Sequence, residues 1–298
     1  MALPIEMARV AVMGQPGAYH DQVAGHLFGD TYQPLHTGSF AEVFEAVEGK
    51  QVDYGVTAVE NSSVGDIPAA YELLRKHAGG IATIGEAYLD IHHSLLGVPG
   101  SSVEGIGRVV SHPVALAQCR NFLNSEIPAA QTENANDTAS AAAHVAEAGD
   151  PSVAAIAGAE NADRYGLTVI RDGIEDDPTN QTRFLVLQHA DHTAGYDRNS
   201  TKASLLVTGL FEKSQGRNPR MPQVLGSLAY KGTPITKFRE QPAPGRPWSP
   251  DVFLDIRVNP DGPGLSAIQT ILRATGLKVQ LLGMYPEGQV FDGPPIRA

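Results

Sequence analysis

The chain has 298 residues, 42% of them hydrophobic, with one cysteine and a net charge of −11. That length suits two domains better than one core, and the acidic balance argues against nucleic acid or an anionic membrane as a partner. Cys119 cannot form an internal disulfide and suits a reducing cytosol. No apolar run reaches the ~18 residues of a membrane span, and the N-terminus has no basic start or cleavage site, so a cytoplasmic protein is expected.

In chain order, ARVAVMGQ (8–15) alternates like a strand and runs into the turn Gly14-Gln15-Pro16-Gly17, and AYHDQVAGHLF (18–28) has helical spacing. SFAEVFEAVEGK predicts a helix with Ser39 as N-cap and Glu42 completing a capping box, and VDYGVTAV a strand. IPAAYELLRKHA reads as helix, IATIGEAYLDIHHSLLGV as strand pieces, GRVVSH as strand, and PVALAQCRNFLNS as a helix with Pro113 in its first turn. DTASAAAHVAEAG is a helix capped by Asp137 or Thr138 and closed by Gly149. SVAAIAG is a strand, AENADRYG a helix, and DPTNQTRFLVLQ a loop entering a strand. The alternation predicts an α/β architecture with a largely parallel sheet. Less regular order around 85–92 and 166–184 predicts two lobes joined by chain crossings, with a ligand cleft between them.

HADHTAGYDRNST (189–201) reads as a linker. KASLLVTGLF, MPQVLGSLAYKG, TPITKFREQPA, DVFLDIRV, GLSAIQTILRATG and KVQLLGMYP then give βαββαβ, the ferredoxin-like split unit. Such a unit suits regulation or dimerisation. The tail EGQVFDGPPIRA is expected to be loose. The resulting division is 1–190, a two-lobed catalytic part; 191–201, a linker; 202–287, the βαββαβ unit; and 288–298, the tail.

Several polar clusters stand at strand ends or helix mouths. Gly14–Gly17 either presents backbone N–H groups to an anion or simply turns the chain; His20 occupies the place where a dinucleotide fingerprint needs a third glycine. In Glu60-Asn61-Ser62-Ser63 a serine would cap the next helix and leave Asn61 free for a ligand. In Ser111-His112-Pro113, Ser111 suits an N-cap and the helix N-terminus would attract a carboxylate, with Gln118 further along. In Asn180-Gln181-Thr182-Arg183-Phe184 the arginine suits a carboxylate of protein or ligand, and Thr182 could donate into the cleft. His92 and His93, adjacent on a strand, point to opposite faces, so joint metal ligation is not expected, and no Cys or His spacing predicts zinc.

In order, G-x-P-G-A-Y, V-E-N-S-x-x-G, S-H-P-x-x-L-x-Q-C, D-T-A-x-A-A, A-A-I-A-x-x-x-A and N-x-T-R-F across residues 8–190 resemble the prephenate dehydratase family. The βαββαβ segment resembles the ACT regulatory domain that follows the catalytic part in many members. The resemblance implies a two-lobed, periplasmic-binding-protein-like catalytic domain. It implies a lyase that converts prephenate to phenylpyruvate, water and carbon dioxide in L-phenylalanine biosynthesis, without metal or organic cofactor.

By the same resemblance, Thr182 is the donor to the leaving hydroxyl, relaying a proton from water or Glu60. Arg183 pairs with a substrate carboxylate or braces the pocket. Asn61 and Ser62 line the pocket, Ser111 binds a carboxylate, and Gln118 reaches the substrate or its holding network. Gly17, Ala18 and Phe184 complete the substrate-binding set. GQPGAYHDQ departs from the family's usual first motif. RNPRMPQVLGSLAYKG and Arg239-Glu240-Gln241-Pro242 depart from the Gly-Ala-Leu and Glu-Ser-Arg-Pro segments tied to phenylalanine. Leu225, Gly226, Glu240 and Gln241 are the candidates for an L-phenylalanine effector site. Edge-to-edge pairing of ACT strands implies a homodimer or homotetramer. Alternative readings are an arogenate dehydratase, a prephenate decarboxylase, against which the intact Thr182-Arg183-Phe184 argues, and a non-catalytic cytoplasmic amino-acid or keto-acid sensor.

Overall fold

The computed structural model describes residues 7–29, 32–192, 200–209, 220–230, 232–258, 270 and 276–293. Two sheets carry the architecture. In the first lobe β1 (Arg9–Met13), β2 (Gln33–Thr37), β3 (Tyr54–Asn61), β5 (Ile81–Asp90) and β11 (Gln181–His189) lie in the order β5-β11-β3-β1-β2, and the two-residue β4 (Gly65–Asp66) pairs with β3. The second lobe orders β6 (Ser94–Gly97), β7 (Arg108–Ser111), β8 (Gln131–Asn134), β9 (Val153–Ala157) and β10 (Thr168–Arg171) as β10-β6-β9-β7-β8. The sheets are mixed rather than largely parallel. β1 is parallel to β2 and β3, and β7 to β8 and β9. The strands next to the two crossings, β5, β11, β6 and β10, pair antiparallel, because the chain leaves each sheet and returns in the opposite sense.

Helices α1 (Tyr19–Phe28), α2 (Phe40–Glu48) and α3 (Pro68–Lys76) belong to the first lobe. α2 starts at Ser39, whose hydroxyl accepts the Glu42 N–H, and buries Val43, Phe44, Ala46 and Val47. Its close approach to β3 requires Gly55, where a Cβ would sit 2.7 Å from Val47 Cγ2. α3 begins at Pro68 without a side-chain cap; neither Ser62 nor Ser63 caps it, because the polar row turns the chain from β3 into β4 instead. In the second lobe the expected 113–125 helix is broken at Cys119 (φ −114°, ψ 23°) into α4 (Pro113–Gln118) and α5 (Arg120–Glu126). α6 (Thr138–Ala148) has Asp137 and Ser140 as a reciprocal cap and ends at Gly149 (φ 63°); its small buried residues pack on β9. α7 (Glu160–Tyr165) precedes β10.

Beyond residue 200, β12 (Lys202–Thr208), α8 (Arg220–Tyr230), β13 (Ile235–Gln241), β14 (Asp251–Arg257) and β15 (Lys278–Tyr285) give an antiparallel sheet in the order β13-β14-β12-β15, the strand order of a βαββαβ split unit. Of the helix expected over 264–276, all but residues 270 and 276 lie outside the described residues. This sheet joins the first lobe through one parallel contact, Gly283 opposite Thr83. The tail is not loose throughout. β16 (Gln289–Phe291) adds to β5, and the Phe291 ring stacks on His26 at 4.4 Å.

Candidate active site

A cavity of about 260 Å³ lies in the cleft between the lobes. Its floor is the antiparallel pair β3–β11. Asn61 pairs with Thr182 and Glu60 with Arg183; the register then shifts, so that Phe184 faces Ala58 and Val59 is the extra residue of a bulge. The bulge brings Ala58 and Asn61, three positions apart, to the cavity face that Thr182 and Phe184 share.

Asn61 organises this floor. Its Oδ1 accepts the backbone N–H groups of Ser63 (3.0 Å) and Val64 (3.1 Å). Backbone amides only donate, so the orientation of the side chain is fixed. Nδ2 then donates to Thr182 Oγ1 (2.9 Å) and Asn180 Oδ1 (2.7 Å). The Thr182 oxygen is thereby an acceptor, and its proton has no acceptor among the described residues.

Across the cleft, Gln118 closes α4 and donates Nε2 to Asn61 Oδ1 (3.4 Å), while its Oε1 lies 3.0 Å from His93 Nε2. His112, Asp137 and Thr138 line the far wall, and Ala18 and Tyr19 the near one. The N-terminal ends of α1 and α6 therefore face the cavity and bring partial positive charge. Among the described lining residues there is no Lys or Arg. His20 accepts the Ala58 N–H at Nε2 (3.2 Å) and meets the rings of Phe40 and Phe184 edge-on. Burial pushes its pKa down to about 4, so it is a neutral wall.

Asn61, Gln118, Thr182, Phe184 and Ala18 are brought together as the motifs suggest; five other candidates are not. Arg183 points to the opposite face of β11, where its guanidinium lies 2.7 Å from carboxylate oxygens of both Glu86 and Asp255. Strand alternation sends it there when Thr182 faces the cleft. Glu60 is also turned away and accepts a bond from Lys237 Nζ (2.5 Å). Ser62 is exposed and accepts the Gln181 N–H (2.9 Å). Ser111 donates to the Ile156 carbonyl (2.6 Å), and His112, not Ser111, caps α4. Gly17 packs between the lobes, where a Cβ would lie 2.3 Å from Asn161 Oδ1.

Of the effector candidates, Leu225 borders a shallow surface pocket with Pro234, while Gly226 is open to solvent. Glu240 and Gln241 do not line that pocket; buried Gln241 donates instead to Glu72 of α3 (3.4 Å). Tyr19, His20, His93 and His112 are wall residues that no local pattern singled out as such, and Asp137 was legible only as a cap.

A sequence model of the family described as prephenate dehydratase matches residues 10–192. The bifunctional chorismate mutase/prephenate dehydratase of Neisseria gonorrhoeae is 37% identical over 93% of this chain and 74% of its own length. Arogenate dehydratase 5 of Arabidopsis thaliana is also 37% identical, over 78% of this chain, which spans only 53% of that relative. Among solved structures, GqqA, described as a quorum-quenching acylase, is 28% identical with a TM-score of 0.79 over 94% of this chain and 98% of its own. The prephenate dehydratase of Arthrobacter aurescens in complex with L-Phe shares the fold at 22% identity, with a TM-score of 0.81 over 94% and 90%. With the family match covering the floor and both walls of the cavity, the chain belongs to the prephenate dehydratase family.

Proposed function

We propose that the cavity binds prephenate and releases phenylpyruvate, water and carbon dioxide. The observation that carries this reading is the Thr182 hydroxyl, whose oxygen is committed to Asn61 and whose proton is left for a ligand. Hydroxide leaves a carbon poorly unless it is protonated or strongly hydrogen-bonded. The bond to the ring carboxylate breaks, its electron pair enters the ring, the C–O bond breaks, and the hydroxyl departs as water with one proton. Thr182 orients that hydroxyl and passes the proton on; water restores it, since Glu60 faces away from the cavity. The substrate carboxylates lie towards the N-terminal end of α1, away from the Asp137 carboxylate that caps α6. Apolar walls such as Ile67 and Ile91 strip water from the departing carboxylate.

The test follows prephenate consumption by purified protein, reading phenylpyruvate by its absorbance in alkali beside a Thr182→Ala control. Absence of phenylpyruvate from the wild type overturns the reading. One observation favours arogenate as a second substrate: the Asp137 carboxylate lines a cavity with no Lys or Arg among its described residues, and would pair with an ammonium group. Competition between prephenate and arogenate decides between them. Acyl transfer needs a nucleophile beside a base; neither cavity threonine, Thr138 nor Thr182, is bonded to an imidazole or carboxylate among the described residues.

The unit beyond residue 200 is proposed to be an ACT domain, on the support of its strand order. The neighbour in complex with L-Phe supports phenylalanine as an effector, which calorimetry with phenylalanine tests. A homodimer or homotetramer formed along β13, the edge strand among the described residues, and a reducing, cytoplasmic location fit this reading. Among the described residues, no helix is long and apolar enough to cross a membrane.

A further inference from the structure

His93 is 1% exposed, lines the cavity and lies where the chain crosses between the lobes. Both ring nitrogens are engaged: Nδ1 lies 3.0 Å from the Tyr19 hydroxyl and Nε2 lies 3.0 Å from Gln118 Oε1. The roles along this chain follow by elimination. Two backbone N–H groups fix Asn61 Oδ1 as an acceptor, so Gln118 must present its amide nitrogen there. That leaves Gln118 Oε1 towards His93, and an oxygen acceptor requires a proton on Nε2. On the other side the Tyr19 O–H donates to the His92 carbonyl (2.7 Å), and Nδ1 is left beside the same hydroxyl oxygen.

The titratable groups around the ring are Tyr19 of α1 and, at the crossings, His92 and Glu175, whose Oε2 accepts the His93 backbone N–H (3.0 Å). Burial pushes the His93 pKa down, more than the Gln118 bond and the Glu175 charge push it up. A neutral ring carries one proton, and the bond pattern assigns it to Nε2.

We propose that His93 is a positioning residue: its Nε2–H holds Gln118 Oε1, so that the Gln118 amide nitrogen braces Asn61 Oδ1 from the cleft side and keeps the Asn61–Thr182 pair in place beneath the substrate. Were Nε2 bare, Gln118 would have to flip and set its oxygen against Asn61 Oδ1, which cannot turn. The proton on Nε2 follows from the bond pattern and the single charge state from burial of the ring; the role in turnover rests on the dehydratase reading.

Two measurements on the full chain test this. Nitrogen-15 NMR of labelled histidine at neutral pH should show a protonated Nε2 and a bare Nδ1 for His93, whatever the protein turns over. A protonated Nδ1 with a bare Nε2 overturns the proposal. In kinetics, His93→Gln retains a donor at the Nε2 position and should keep kcat within about tenfold of wild type. His93→Asn places its amide at the Nδ1 position and should lose about 100-fold in kcat, with KM changed less than about threefold. Equal losses in the two folded variants would reduce His93 to a space-filling role and overturn the proposal. Failure of the wild type to turn over either substrate would sink the dehydratase reading and leave the NMR result to decide the tautomer.

Discussion

Thr182 and Arg183 are consecutive on β11 and end on opposite faces of the sheet. The Thr182 hydroxyl accepts from Asn61 in the cavity, and the Arg183 guanidinium is buried between Glu86 and Asp255 at the junction with the C-terminal unit. One motif thus gives Thr182 to the cavity and Arg183 to the contact with the C-terminal unit.

Replacing Thr182 with valine keeps the shape and removes the donor. We expect kcat to fall about 100-fold or more, KM to change little, and stability to shift by less than about 1 kcal/mol. Thr182→Ser should recover part of the rate. Steady-state phenylpyruvate formation and urea unfolding measure both; a valine variant with wild-type kcat would remove the hydroxyl from the mechanism.

Arg183→Met acts on the other face. It leaves Glu86 with Lys202 and the Gly288 N–H, and Asp255 with Ser204 as its remaining bond partner, and breaking a buried pair from one side costs about 3–5 kcal/mol. Urea unfolding should show a loss of that size. The fraction that stays folded should turn over within about tenfold of wild type. A loss beyond ~100-fold in folded protein would return Arg183 to the chemistry.

His20 predicts a loss of stability in acid. Its folded pKa, lowered by burial to about 4, lies below the ordinary ~6.5 of the unfolded chain. The contribution is therefore complete above about pH 6.5 and falls away as pH drops towards 4, by about 3 kcal/mol in all. His20→Gln keeps an acceptor at the Nε2 position for the Ala58 N–H and does not titrate. Its stability should lack this part of the acid slope; parallel curves for the two proteins would contradict the burial argument.

The crossings should show the opposite sign. Glu175 accepts from the His92 ring (2.9 Å) and the His93 N–H (3.0 Å), and the Glu175 bond holds the His92 pKa above its ordinary value. A raised folded pKa gives stability that is full below the unfolded value and is lost as pH rises through the folded one. Burial alone would push Glu175 up, but these bonds hold it below its usual range. Glu175→Gln should therefore be more costly at pH 6 than at pH 8; equal cost at both would deny the pair a role.

The order of elements and the residues Asn61, Gln118, Thr182 and Phe184 were legible in the sequence because they sit in spaced motifs. Glu60, Ser62 and Arg183 sit in the same motifs yet miss the cavity. Their facing depends on the bulge at Val59 and on charges supplied from beyond residue 200, and neither leaves a local pattern. β2 and β8 went unread because they are edge strands, largely exposed and without apolar alternation. The second lobe's strand order was hidden for the same reason. His93 was discounted by an argument about metal ligation, whereas its role depends on which neighbours its two nitrogens meet.

The contact of Gly283 with Thr83 has a consequence for anyone dividing this protein. A Cβ at 283 would sit 1.9 Å from the Thr83 carbonyl oxygen, so only glycine lets the two sheets touch there. A chain cut after residue 192 would bare the β5 edge, an invitation to aggregate. It would also strip Lys202 from Glu86, and Lys237 and Arg239 from Glu60 and Asp66. The C-terminal unit is therefore not an interchangeable cassette: a graft from a relative would have to bring its own glycine and three matching cations to seat on this catalytic part.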